Sequence, residues 1–178
     1  MPQPDSTRPG DSASLARLLA TEDAVVEIPP GDYTGPFKIA KGVTAKALGG
    51  AKVRLLSSGG GPAVLIAGMN VTLEDLEMNG VLLGENSQAS LRRCAILDSP
   101  AEGIHVPTRS KLELTDSEIA RSQSISVHLN GGEASLRQCR IHSGRKAGLV
   151  FSSGSRGTIS DCEVSGHLSG MPLSLIHI

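Results

Sequence analysis

Two histidines, His105 and His128, hold equivalent places in a repeating sequence and have the clearest chemical potential in the chain. Each lies nine residues after the isoleucine that ends its repeat. Asp98 and Arg121 each lie two residues after that isoleucine, and Glu102 lies three residues before His105. Two imidazoles grouped with carboxylates and an arginine are suited to binding an anionic sugar, holding a metal ion or acid–base catalysis.

These five residues form the predicted binding face, and none of them is assigned a catalytic role. A simpler interpretation is that His105 and His128 are only polar residues on a surface strand, and this alternative stays open. The two imidazoles supply two ligands, with no third ligand at the same repeat position. We therefore expect no metal site and no other cofactor.

The residues that position this face belong to an internal repeat. It reads apolar, two variable residues, a small or apolar residue, one variable residue, apolar, and it occurs at 73–78, 91–96, 114–119, 136–141 and 159–164. Successive copies begin 18, 23, 22 and 23 residues apart, which is too short for paired-helix repeats. The alternation that ends each copy is the two-residue period of a strand, so we interpret each copy as one strand.

A second strand follows each copy, and in the shorter coil it is the segment 81–83. The segments 104–106, 127–129 and 149–151 each begin eight residues after the end of a copy, and corners rich in Gly, Ser, Asn and Pro separate the strands. Stacked copies place Leu on Leu and Ile on Ile about 4.8 Å apart. This pattern predicts an all-β fold, a single-stranded parallel β-helix. Leucine-rich repeats have similar periods, but the Asn or Cys that follows their consensus is absent here.

The first part of the chain has a similar pattern of short strands, but it begins differently. Short strands are expected at 37–39, 43–45, 53–55 and 64–66. Before them, Asp11 or Ser12 can cap a helix that has Leu15, Leu18 and Leu19 on one face. Such a helix can cover the open edge of the first coil. The predicted organisation is a disordered tail at 1–11, a capping helix at 12–21 and a β-helix domain at 22–170.

The order of these features resembles a known superfamily. A short helix, the segment Val-Glu-Ile-Pro-Pro-Gly-Asp-Tyr at 26–33, and coils such as Ala-Ser-Leu-Arg-Gln-Cys-Arg-Ile-His-Ser-Gly at 134–144 look like the right-handed parallel β-helices of the pectin lyase-like superfamily. Residues 134–151 resemble the repeats of carbohydrate-binding and sugar-hydrolase β-helices and of β-helical F-box proteins. The resemblance covers residues 12–167 and implies a right-handed coil, but it specifies fold far better than function.

The net charge and the cysteines indicate which partners and which cellular compartment to expect. With 17 basic and 18 acidic side chains, the net charge of -1 gives no reason to expect a nucleic-acid partner. The apolar runs are too short to cross a bilayer, so we expect no membrane partner. Cys94, Cys139 and Cys162 share one inward repeat position, which predicts free thiols. Because the N-terminus also lacks the pattern of a secretory signal, we expect a cytoplasmic protein.

The last residues of the chain have an unusual interpretation. Residues 173–178, Leu-Ser-Leu-Ile-His-Ile, match the translation of a transposase adaptor used to prepare sequencing libraries. We therefore expect this segment to be an adaptor artefact and the β-helix domain to be truncated. Further coils or a second domain would then follow in the natural protein. A natural apolar tail that closes the core is the alternative.

Two functions remain open. The favoured one is a non-catalytic scaffold or binding module that presents a flat parallel sheet to a protein or glycan partner. Its support is that the enzyme signatures of the resembled superfamily, such as the Gly-His-Gly of polygalacturonases and the Asp-Pro-His-Glu of mannuronan epimerases, are absent. The alternative is a carbohydrate-active lyase, hydrolase or epimerase whose site is incomplete in this chain. There His105 or His128 would act as acid–base and Arg121 would neutralise a uronate.

Overall fold

The computed structural model describes residues 10–168 as one α-helix, one short 3₁₀ helix and twenty strands. Helix α1 spans Ser12–Leu19, and the 3₁₀ helix spans Leu48–Gly50. The strands are β1 (Val25–Ile28), β2 (Gly31–Thr34), β3 (Phe37–Ile39), β4 (Thr44–Ala47), β5 (Val53–Leu56), β6 (Val64–Ile66), β7 (Val71–Glu74), β8 (Glu77–Met78), β9 (Val81–Leu83), β10 (Gln88–Arg92), β11 (Ala95–Leu97), β12 (Ile104–Val106), β13 (Lys111–Thr115), β14 (Glu118–Ala120), β15 (Val127–Asn130), β16 (Glu133–Arg137), β17 (Arg140–His142), β18 (Leu149–Ser152), β19 (Arg156–Ser160) and β20 (Glu163–Ser165). The expected adaptor segment at 173–178 and most of the expected tail at 1–11 lie outside the described residues.

Every third strand joins the same sheet, so the chain winds as a parallel solenoid of about six turns. Sheet A contains β1, β4, β7, β10, β13, β16 and β19; sheet B contains β2, β5, β8, β11, β14, β17 and β20; sheet C contains β3, β6, β9, β12, β15 and β18. Pairing is parallel and in register, so that Leu114 lies between Leu91 and Leu136 of the neighbouring coils. The predicted all-β parallel β-helix is confirmed.

Each full coil has three strands, one more than the repeat suggests. The segment 91–96 is not one strand, because β10 ends and β11 begins inside it. Arg93 lies between the two strands with a φ of 50°, in the left-handed region, and turns the chain sharply from sheet A to sheet B. Leu91 and Cys94 are nevertheless both buried. The one-strand interpretation is wrong because the inward alternation resumes directly after this corner.

The same corner recurs in successive coils and remains hydrogen-bonded. Its left-handed residues are Asp75, Arg93, Asp116, Gln138 and Asp161. The amide of Asp75 donates to the Arg92 carbonyl at 3.1 Å, and the Arg93 amide donates to the Thr115 carbonyl at 3.0 Å. In addition, the Arg93 guanidinium donates to both carboxylate oxygens of Asp75, at 2.7 and 3.0 Å. These bonds between coils offset the cost of the left-handed backbone, which is unfavourable for residues other than Gly, Asn and Asp.

Helix α1 covers the first coil, as the sequence predicts. Asp11 caps the helix by accepting a hydrogen bond from the Ser14 amide at 2.7 Å, and the Ser14 hydroxyl accepts one from the Asp11 amide at 3.0 Å. Leu15 and Leu19 are fully buried, and the helix packs on β1, β2 and β3. In the part of the chain described, no helix is both long and apolar enough to cross a membrane.

The three cysteine thiols are free, as predicted. Cys94 and Cys139 are buried at the corner between sheets A and B, and Cys162 is partly exposed. The thiols of Cys94 and Cys139 donate to carbonyls two residues earlier, at 3.4 and 3.2 Å. Burial raises the pKa of the Cys94 thiol to about 11, so this group is held as an unreactive thiol.

Two substitutions on β13 test which side chains of this strand point into the core and which point to solvent. Leu114→Ala should lower the free energy of unfolding by about 2–5 kcal/mol, because it leaves a cavity between two stacked leucines. The neighbouring Glu113 is exposed, and Glu113→Ala should change that free energy by less than about 0.5 kcal/mol. Urea unfolding of both variants measures the difference, and similar effects would contradict the assignment.

Candidate functional site

His105 and His128 lie side by side on the outer face of sheet C. They are the central residues of β12 and β15, and the register pairs them directly. On each strand the residues before and after the histidine are fully buried. Alternation along the strand therefore directs both imidazoles outward. Their ring centroids are 5.0 Å apart, and the rings are nearly perpendicular, at 89°.

Glu102 joins the two histidines. Its Oε2 atom lies 2.5 Å from Nδ1 of His105, and its Oε1 atom lies 2.7 Å from Nδ1 of His128. One carboxylate is thus shared by imidazoles from two coils. The three side chains retain only 19 to 27% of their exposure. We call Glu102, His105 and His128 the His–Glu cluster.

The corner before β12 brings Glu102 into this position. The buried Ser99 hydroxyl donates to the Glu102 carbonyl at 2.5 Å, which closes a tight turn. The next residue, Gly103, lies so close to the following coil that a Cβ atom there would be 2.4 Å from the Ser126 carbonyl oxygen. A glycine is therefore needed at this point for Glu102 to enter the strand beside the histidines.

Ser152 fixes the orientation of the His128 ring. Nε2 of His128 lies 3.3 Å from the Ser152 hydroxyl oxygen. That hydroxyl has its own acceptors, the Leu129 carbonyl at 3.2 Å and Oδ1 of Asn130 at 3.4 Å. Nε2 of His128 is thus the nitrogen beside Ser152, and Nδ1 is the nitrogen that faces Glu102.

The other two residues of the predicted face form a separate ion pair. Arg121 donates to both carboxylate oxygens of Asp98, at 2.7 and 2.8 Å. Both residues are left-handed corner residues between sheets B and C, and both side chains are at least half exposed. In residues 10–168, neither side chain has a hydrogen bond or ion pair with the His–Glu cluster. The suggested role of Arg121 as a free neutralising group does not fit this pairing.

A third potential metal ligand is present, contrary to the sequence-based expectation. Glu102 does not share the repeat position of the histidines, but its corner carries the carboxylate to both of them. One ligand atom from each residue of the cluster lies within 4.8 Å of the others. The expectation of no metal site rested on the lack of a third ligand at the same repeat position, and Glu102 supplies one from the neighbouring corner.

Two further features were not predicted from the sequence. Arg145 and Lys146 are exposed in the corner before β18, and among the described residues neither has an ion pair. Elsewhere, Nε2 of His142 on sheet B lies 2.7 Å from Oε1 of Glu118, in an isolated histidine–carboxylate pair. A sequence signal exists for this pair: His142 directly follows the isoleucine of its repeat and lies two residues after Arg140, which pairs in register with Glu118.

A family model for the right handed beta helix region matches residues 79–175, which is more than half of the chain and includes the whole His–Glu cluster. The chain therefore belongs to the right-handed β-helix family. The expected right-handed parallel β-helix is confirmed.

One solved structure with this fold is an alginate lyase from Paenibacillus sp. str. FPU-7. The two structures have a TM-score of 0.68 at 14% sequence identity, over 90% of this chain and 74% of the lyase chain. At this identity the similarity shows a shared fold alone. No curated protein matches the sequence.

Asp98→Asn tests whether the exposed pair is only structural. Hydrogen bonds from Arg121 lower the pKa of the Asp98 carboxyl below its usual 3.8. The pair's stabilisation is therefore complete above the usual pKa and is lost as the pH falls through the lower folded value. At neutral pH the variant should lose at most about 1 kcal/mol. Urea unfolding at neutral and strongly acidic pH should show the difference vanish in acid; a difference that persists there would contradict this role.

Proposed function

We propose that this chain is a non-catalytic binding module whose sheet C face recognises an acidic glycan. One observation carries the proposal: the His–Glu cluster lies on an outer sheet face, and the exposed cations Arg145 and Lys146 lie along the same edge of that sheet, two coils beyond the corner of Glu102. The corners that carry Glu102 and these cations stack in register, since the Lys146 amide donates to the Ser124 carbonyl and the Ser124 amide to that of Ala101.

The composition of this face suits a ligand that lies along the solenoid axis. The outward residues at the centres of the sheet C strands are, coil by coil, Lys38, Leu65, Leu82, His105, His128 and Val150. The last five are half-buried, and three of them are aliphatic. Aliphatic side chains can contact the apolar faces of sugar rings, while imidazoles and the nearby cations can bind carboxylates.

The charge at the corner favours an acidic glycan over the protein partner that the sequence also allows. Arg145 and Lys146 lack acidic partners in the described part of the chain, so they remain available to a uronate carboxylate. Alginate is a polymer of uronates, and the structurally similar enzyme is an alginate lyase. Alginate is therefore the first probe to use. With 2% aromatic residues, stacking on sugars would be sparse and the affinity modest.

Replacing two corner residues with those at the same places in the preceding coil tests this proposal. Gln123 and Ser124 hold the places of Arg145 and Lys146 in the preceding coil, so Arg145→Gln with Lys146→Ser should preserve the corner. Alginate binding should weaken by about 2- to 30-fold, because each of the two exposed charge contacts contributes about 0.2 to 1 kcal/mol. Calorimetry or affinity electrophoresis measures the binding, with a neutral glucan as the comparison ligand.

The matched control removes one positive charge from another face. Arg137 on sheet A is exposed and pairs in register with Ser160, so Arg137→Ser also borrows a residue from a neighbouring coil. This variant should bind alginate as the unaltered chain does. Because the control removes one charge and the double replacement removes two, a loss of binding free energy in the control half as large as in the double replacement would reduce the effect to net charge. Equal binding of the neutral glucan would sink the proposal.

A second function, a uronate lyase, is favoured by the paired imidazoles of the His–Glu cluster. One imidazole would remove the proton next to the uronate carboxylate. The bond from the ring carbon to the departing oxygen would break as a carbon–carbon double bond forms. The second imidazole would give its proton to that oxygen. With ring centroids 5.0 Å apart on one outer face, both imidazoles would approach the sugar from the same side, as a syn elimination requires.

The two functions differ in their products. Incubation with alginate should produce no rise in ultraviolet absorbance from an unsaturated uronate if the chain only binds. A steady rise that is lost in His105→Leu and His128→Val, the residues found at this position in adjacent coils, would establish the lyase instead.

A further inference from the structure

We infer that the His–Glu cluster is a binding site for a divalent first-row transition ion, with Zn²⁺ the ion that its ligands suit. The inference does not rest on glycan binding, because the ligands come from the chain alone and the ion can be tested without any sugar. It assigns to Glu102, His105 and His128 a role that the repeat by itself does not indicate.

The ligand set has the number and types found in open zinc sites. Two imidazole nitrogens and one carboxylate oxygen lie within 4.8 Å of one another. Ligands at about 2.0–2.2 Å from a tetrahedral zinc ion are roughly 3.3 Å apart. The carboxylate contacts, 2.5 and 2.7 Å, would each open by less than about 1 Å to admit the ion, a movement within the reach of side-chain rotations.

Each short contact can hold either an imidazole proton or a metal ion between its two atoms. Both Nδ1 atoms face oxygens of one carboxylate, and an ionised carboxylate has only lone pairs to offer. With an ion bound, each Nδ1 would present its lone pair to the metal, and Nε2 of His128 would donate to the Ser152 hydroxyl oxygen 3.3 Å away. A divalent cation at this place would satisfy the carboxylate and both nitrogens at once.

The types of donor atom in the cluster indicate which of the common ions it would bind. Ca²⁺ and Mg²⁺ prefer cages of oxygen atoms, whereas this cluster has two nitrogens. Imidazole with carboxylate suits zinc and its neighbours in the first transition row. The side chains of Glu102, His105 and His128 retain between 19 and 27% of their exposure, which leaves a fourth position open to water or to an added ligand.

The solenoid itself prepares this geometry. The histidines are held one strand spacing apart by backbone pairing, and the Ser152 contact orients one ring from the third coil. Outer partners of this kind fix ring orientation in established metal sites. Little reorganisation is therefore required when an ion binds.

Titration of the metal-free full chain with Zn²⁺ tests the inference. Calorimetry, or competition with a chromophoric chelator, should find one zinc ion per chain at this site. His105→Leu, His128→Val and Glu102→Gln should each weaken binding by at least about 10- to 100-fold, the range seen when even outer partners of a metal are lost. The histidine replacements copy Leu82 and Val150 from adjacent coils, and urea unfolding of each variant confirms that it remains folded.

Two further variants separate this site from other zinc-binding groups. Cys162 is partly exposed and lies beside Cys139, whose amide donates to its Sγ at 3.4 Å, so Cys162→Ser tests the thiols. His142→Ala removes the isolated histidine that pairs with Glu118. Both variants should keep the affinity of the unaltered chain.

Cobalt gives an independent readout of the ligands. Co²⁺ bound at the His–Glu cluster should show visible ligand-field bands without the intense thiolate charge-transfer band. Zinc binding that survives all three cluster variants, or that is lost in Cys162→Ser, would overturn the inference. So would a folded chain that binds no zinc. A folded chain that binds zinc but not alginate would leave this inference standing and remove the proposed glycan function.

Discussion

The structure depends on coils that return to the same register after three sharp corners. Single left-handed residues such as Arg93 and Asp98 turn the chain, while the Arg93 and Asp98 amides keep their bonds to the next coil. Because every corner preserves the ladder, equivalent residues stack one strand spacing apart, about 4.8 Å. The aliphatic core, the ion pairs between coils and the adjacent histidines all follow from this repeated spacing.

The same constraint decides how a site can form on this fold. Most strands of sheet C have three residues, so each coil contributes only its central side chain to the outer face. A site that needs several kinds of side chain must therefore be built from residues of successive coils and of the corners beside them. The His–Glu cluster has this construction: two coils supply the imidazoles, and the corner before β12 supplies the carboxylate that joins them.

The periodicity was sufficient to predict the solenoid, the cap helix and the alignment of His105 with His128, because each follows from spacing along the chain. Corners were harder to predict. Arg93 and Gln138 are unusual choices for a left-handed backbone, so their residue types do not mark a turn. The contacts of Glu102 with both histidines and the ion pair of Asp98 with Arg121 also depend on the local geometry of the corners. The repeat pattern does not specify that geometry.

The shared carboxylate also limits how the solenoid could lengthen during evolution. Elsewhere, inserting or deleting a complete coil would preserve the core, because every rung offers the same apolar surface to the next. A coil inserted between β12 and β15 would instead move the two imidazoles two strand spacings apart, to about 9.6 Å. Glu102 could then contact only one of them, so this junction would resist the length variation that repeat proteins otherwise tolerate.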